Sequence, residues 1–230
     1  MKPYLLLAAL LPAVFLLVRV YRLDKIEKEP FFLLALLVLL GALSGFAAVF
    51  LETALLRLTR MLWFEESIGF TVMENFIAVG LCEEICKLAP VKLVAYKNPA
   101  FNYRFDAVVY CTASALGFAA LENVLYVAKY GLSVAVSRAV LSVPGHFFFA
   151  VFMGFFLGEQ KAAQVYCNRA RQKHMRVLTW LVPTLLHGFW DFCLGFDSLM
   201  MNAIFLLFVL IFFLFADRLL KTAAARDREL

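Results

Sequence analysis

Long apolar runs alternate with short charged connections along this chain, and the alternation predicts a bundle of membrane-crossing helices. The runs cover residues 3–20, 31–51, 71–94, 105–128, 137–158, 177–195 and 199–220. Each is close to the ~20 residues that a helix needs to cross the hydrocarbon core. The connections 21–30, 95–104 and 159–176 are polar, and the last is the longest and most basic. One stretch breaks the pattern. Residues 52–70 mix Arg57, Arg60, Glu65 and Glu66 with Leu and Trp63, which predicts an amphipathic helix lying in the membrane interface.

Composition agrees with this pattern. Hydrophobic residues make up 64% of the 230, and mean hydropathy is +0.84. Soluble domains are nearer half apolar, so the expected class is all-α, a polytopic bundle of about seven spans forming one domain over residues 1–230. The first run follows Lys2 but has no small-x-small cleavage signal, so it is expected to remain as a span. A net charge of +5 does not mark a nucleic-acid binder here, because the cations sit in the connections. With seven spans, all Lys and Arg except Lys2, Arg57, Arg60, Lys129, Arg138 and the intramembrane Lys87 fall on one side. The positive-inside rule makes that side cytoplasmic, with the N-terminus outside and the C-terminus inside. The five cysteines form no C-x-x-C pair, which argues against a disulfide framework or a cysteine zinc site.

Charged groups within membrane-length runs are costly and mark function by default. Glu83, Glu84 and Lys87 lie in the third run, Glu122 and Asn123 in the fourth, His146 in the fifth, and His187 and Asp191 in the sixth. Counted along helices that alternate in direction, all of them reach one level, in the outer half of the membrane or near its midplane. Glu83 and Lys87 are spaced i,i+4, the acid first, as an intrahelical ion pair requires. His187 and Asp191 share that spacing, so the carboxylate can orient the imidazole. Pro90, Pro144 and Pro183 lie beside these groups, and the carbonyls they free are tolerated where a hydrated cavity satisfies them. Taken singly, Lys87 or Asp191 is more often a structural pair, and Asn123 an interhelical hydrogen-bonding group. Two adjacent carboxylates in hydrocarbon cannot both ionise cheaply, which makes a purely structural role for Glu83 and Glu84 the weaker reading.

The motifs E-E-I-C-K (Glu83–Lys87), F-A-A-L-E-N (Phe118–Asn123), P-G-H (Pro144–His146) and H-G-F-W-D (His187–Asp191) resemble the four motifs of the PrsW proteases. E-P at Glu29, F-D-A-V-V-Y at Phe105, R-A-V-L at Arg138 and M-G-F-F-L-G at Met153 also resemble that family. It is distantly similar to the type II CAAX prenyl proteases and Abi membrane proteins, whose second-motif His and last Asn are here Glu122 and Asp191. The resemblance implies a multi-pass protein of the bacterial cell membrane. It implies an intramembrane endopeptidase making the first cut in a single-span substrate such as an anti-sigma factor. The partners would be that substrate and membrane lipids, with no nucleic acid.

Two chemistries suit these residues. In the favoured one, Glu83 or Glu84 activates water without a cofactor, and Asp191 orients His187 to share the proton work. His146 is then a second candidate for oxyanion stabilisation, Glu122 positions a histidine or the water, and Lys87 balances charge. In the alternative, zinc is held by a set drawn from His146, His187, Glu83, Glu84, Glu122 and Asp191, although no H-E-x-x-H is present. A proton-coupled transporter is a third possibility, since buried acids and histidines also build relays. No inverted repeat supports it.

The charge distribution makes one prediction directly. Cys167, in the basic connection, is expected to resist a membrane-impermeant thiol reagent in sealed cells. Ready labelling would invert the orientation.

Overall fold

The computed structural model describes residues 2–65 and 67–230, and the secondary structure within them is helical apart from one isolated antiparallel bridge between Tyr103 and Glu229. Helix α1 spans Pro3–Leu23 and α2 spans Phe31–Leu62. A continuous rod follows. It runs through α3 (Ile68–Val72), a π-helical stretch π1 (Met73–Leu81), α4 (Cys82–Pro90) and a second, π2 (Val91–Ala95). Then come α5 (Asp106–Tyr130), α6 (Leu132–Ser137), a third π-helical stretch π3 (Arg138–Ser142), α7 (Val143–Val165), α8 (Arg169–Leu194) and α9 (Leu199–Ala225). Six of the rods are long and apolar enough to cross a membrane. The Ile68–Ala95 rod, which carries the glutamate pair, makes the seventh in the bundle.

Two boundaries differ from the sequence pattern. Residues 52–62 do not form a separate interfacial helix: α2 continues without a break to Leu62. Its apolar face simply outlasts the ~20 residues of one crossing, so the charges of its last turns look amphipathic when read alone. The Ser67 hydroxyl caps α3 by accepting from Phe70 N at 3.1 Å. The basic connection 159–176 is also mostly helical. Helix α7 extends to Val165, and α8 starts at Arg169 with the Asn168 side chain as its cap.

Helix α5 is the centre of the packing, buried without interruption from Phe105 to Ala119. Small residues let its backbone approach two neighbours. A Cβ at Gly117 would overlap the carbonyl oxygen of Val38 on α2, and one at Gly41 would overlap that of Ser114. Glycines 154 and 158 of α7 meet the α5 side at Val108 and Arg104 in the same way. Lipid offers no hydrophobic drive between helices, so this close contact is itself a main source of cohesion.

One end of the bundle gathers the basic connections. Arg104 pairs with Glu159 at 2.8 Å, and Arg171 reaches the same carboxylate at 2.5 Å. Asn102 donates to Glu27 at 2.9 Å and accepts from Leu230 N at 2.8 Å. Asp227 accepts from Phe105 N at 2.9 Å. The 21–30, 95–104 and 159–176 connections and the C-terminus therefore share one end, as alternating spans demand.

Gly117→Val is expected to force α5 from α2. Overpacking of this kind costs about 1–3 kcal/mol, read as a lower melting temperature in detergent.

Candidate active site

Glu83 and Glu84 lie in the first turn of α4, immediately after π1. Neighbours on a helix point about 100° apart, and the two carboxylates separate accordingly. Glu84 is fully buried, whereas Glu83 lines a cavity of about 740 Å³. Lys87 lies between them. Its Nζ donates to Glu83 Oε2 at 2.9 Å and to Glu84 Oε1 at 2.7 Å. The third neighbour of the ammonium is His146 Nδ1 at 2.8 Å, so its three donors are all matched. The ring of Phe118 lies 4.7 Å from the same nitrogen.

The two histidines come from opposite sides. His146 stands in the first turn of α7, beside Pro144. His187 stands on α8, one turn after Pro183. Helix α8 reaches this position because it touches π1 almost backbone to backbone. A Cβ on Gly80 would lie 3.2 Å from Gly188 N, and one on Gly188 would run into Phe76. The imidazole planes are perpendicular with centroids 5.4 Å apart, and Phe149 stacks on His187 at 5.0 Å.

Each ring has a carboxylate behind it. Glu84 Oε1 is 2.9 Å from His187 Nδ1, and Glu122 Oε2 is 2.9 Å from His146 Nε2. Accepting from those N–H groups leaves the opposite nitrogens with lone pairs. Those nitrogens face one oxygen: Glu83 Oε2 is 3.9 Å from His146 Nδ1 and 3.8 Å from His187 Nε2. Asp191 Oδ2 lies 3.2 Å from His187 Nε2, one helical turn on, at the cavity wall.

The residues singled out by sequence thus occupy one cluster, with one exception. Asn123 stands outside it, donating to Ala9 O of α1 at 2.7 Å and accepting from Arg138 Nε at 3.0 Å. Three charged cavity residues were not singled out as site groups: Glu52, Glu74 and Arg138. Glu52 was hidden by the assignment of residues 52–70 to the interface. On a continuous α2 it is a carboxylate within the bundle. Arg138 was visible only in the sorting of charges by side and as part of R-A-V-L.

Glu83, His146 and His187 bring ligand atoms within 4.8 Å of one another, a set able to hold a metal ion. Two nitrogens and one carboxylate oxygen, with a cavity on the open side, match the donor set of a catalytic zinc site. A carboxylate behind each imidazole is the usual orienting partner of a metal-bound histidine. Charge points the same way. Glu83, Glu84, Glu122 and Asp191 face only Lys87 and Arg138 within this cluster of described residues. With both imidazoles neutral, at least two negative charges remain, since Glu52 and Glu74 also line the cavity, and protons or a divalent cation would offset part of that surplus. Of the wider ligand set, Glu84 and Glu122 are engaged behind the rings. Against a metal, Lys87 Nζ already touches Glu83 Oε2 and His146 Nδ1.

A family model described as "PrsW family intramembrane metalloprotease" matches residues 29–216. The Protease PrsW of Oceanobacillus iheyensis is 34% identical over 195 residues, covering 84% of this chain and 85% of that protein. The Bacillus subtilis protein of the same name is 31% identical over 220 residues, covering 96% and 94%. That of Halalkalibacterium halodurans is 31% identical over 224 residues, covering 97% and 99%. No solved structure matches the chain.

Lys87→Met would leave Glu83 and Glu84 without their shared cation. Breaking a buried pair typically costs about 3–5 kcal/mol. A large fall in melting temperature is expected, against little change for Cys82→Ala, whose thiol has no polar partner here.

Proposed function

The chain belongs to the PrsW family of intramembrane proteases, and we propose that its peptidase site is the Glu83–His146–His187 cluster, loaded with a divalent metal such as zinc. One observation carries the proposal: two imidazole nitrogens face the same Glu83 oxygen from 3.8 and 3.9 Å, each ring backed by a carboxylate. Family membership replaces the transporter alternative.

A bound zinc ion supplies a Lewis acid for the scissile carbonyl and lowers the pKa of its water. The chain does the rest. Glu84 and Glu122 hold the rings of His187 and His146 in one tautomer. Asp191, beside His187 at the cavity wall, is placed to take a proton from a water and return it to the leaving amine. Lys87 and Arg138 offset part of the local negative charge. The bundle wall around the cavity limits water to the reacting bond.

The substrate is a single-span membrane protein, an anti-sigma factor as the family resemblance implies, in the bacterial cytoplasmic membrane. Glu52, Glu122, His146 and His187 all lie in the halves of their helices remote from the basic end. With that end cytoplasmic, the cut falls near the extracytoplasmic end of the substrate's span. A helical backbone must unwind there to react.

A metal-free glutamate peptidase is the second reading. It is favoured by Lys87, which already satisfies two of the three donors. Glu83 would then be the base, and the surplus negative charge would be met by protons.

Cleavage of a purified single-span substrate, followed by mass spectrometry of the fragments, separates the readings. Glu83→Gln is expected to lose at least ~100-fold in activity under either. The metal reading expects loss of activity with chelator, recovery with zinc, and loss of bound metal in His146→Ala and His187→Ala. Asp191→Asn should keep metal and lose kcat by ~100- to 10,000-fold. Cys82→Ala and Cys86→Ala should be nearly silent. Full activity after exhaustive chelation would select the glutamate reading, and an active Glu83→Gln would defeat both.

A further inference from the structure

Arg138 stands in a stretch that the catalytic reading leaves without a role beyond charge. We propose that Arg138 is a positioning residue, which holds Glu122 so that Glu122 in turn aims His146 Nδ1 at the reacting centre. The inference rests on the function proposed above.

Arg138 opens π3 and lines the cavity. π-Helical turns within α-helices are frequent at functional sites. Its guanidinium is held from three sides by α5. Nη2 is 2.7 Å from Glu122 Oε2, Nε donates to Asn123 Oδ1 at 3.0 Å, and the group lies 4.1 Å from the centroid of Tyr126. These partners sit at i, i+1 and i+4 of one helix, so they form a rigid cradle. The side chain is only 11% exposed.

The same oxygen, Glu122 Oε2, lies 2.9 Å from His146 Nε2. A guanidinium carries its charge at every working pH. It therefore pins that carboxylate in place as an acceptor for the Nε2–H. The ring is then left with its lone pair on Nδ1, the nitrogen that faces Glu83 and Lys87. Without Arg138, the Glu122 side chain, itself 25% exposed toward the cavity, is free to swing away, and His146 loses its tautomer and orientation.

The contacts say what a replacement can restore. Nη2 approaches Glu122 as a charge pair, and its N–H bonds find no well-aligned acceptor among the described residues. Lysine can supply that charge. It cannot supply the planar fork that also reaches Asn123 and covers Tyr126. The competing role is purely architectural: Asn123 also binds Ala9 O, so Arg138 would merely tie α1 to α5.

The test uses the full-length protein in detergent with a synthetic single-span anti-sigma peptide as substrate. Arg138→Gln is expected to lower kcat ~10- to 100-fold with KM within about twofold, and to weaken zinc binding, read by chelator competition, by ~10- to 100-fold. Glu122→Gln should do the same, and the double variant should be no worse than either single, because the two act as one unit. Arg138→Lys should recover a substantial part of kcat. A melting-temperature cycle of the same variants should show the same coupling, whether or not the site takes zinc. The inference is overturned if Arg138→Gln raises KM and spares kcat, if its effect adds to that of Glu122→Gln, or if Asn123→Ala reproduces it in full. Glu83→Gln, run alongside, tests the underlying reading separately. A dead Glu83→Gln beside a fully active Arg138→Gln removes only the inference.

Discussion

The buried ammonium of Lys87 is the interaction on which the site depends. It binds both adjacent carboxylates and one imidazole, from within a helix whose surroundings are apolar. Without a cation there, Glu83 and Glu84 could not stand side by side at low dielectric. Serine 114 of α5 donates to the Lys87 carbonyl oxygen at 2.7 Å, so the central helix also fixes the backbone that carries the lysine. Electrostatics and packing meet at one residue.

Around that centre the polar groups form pairs that pass orientation outward. Glu84 sets His187, Glu122 sets His146, and Arg138 holds Glu122. A half-satisfied buried network is worse than an apolar one, and these side chains mostly avoid that cost by sharing oxygens. The exceptions in this network, among the described residues, are Glu84 Oε2, buried with no hydrogen-bonding partner, and Arg138 Nη2, which meets Glu122 as a charge pair alone. Four carboxylates against two cations leave the cluster short of positive charge, and that shortage frames the choice between a metal and protons. Glycine contacts make the geometry possible. Gly80 and Gly188 bring π1 and α8 together, and Gly41 with Gly117 bring α2 onto α5.

The sequence by itself determined the helical class, the number of rods and most of the polar residues that converge. Apolar runs of membrane length are self-reporting, since a backbone in lipid can satisfy its own hydrogen bonds only as a helix or a closed barrel. The i,i+4 spacings of Glu83 with Lys87 and of His187 with Asp191 were legible for the same reason: they are distances along one helix. What lay between helices was not legible. That Glu84 rather than Asp191 backs His187 at Nδ1, that Glu122 backs His146, and that Arg138 joins them depends on crossing angles and close approaches that no spacing encodes. The run 52–70 was misjudged because charge beyond the membrane and charge facing a cavity look alike in one dimension. Only the tertiary structure separates Glu52, which lines the cavity, from Arg60 and Glu65, which pair with each other at the exposed end of α2.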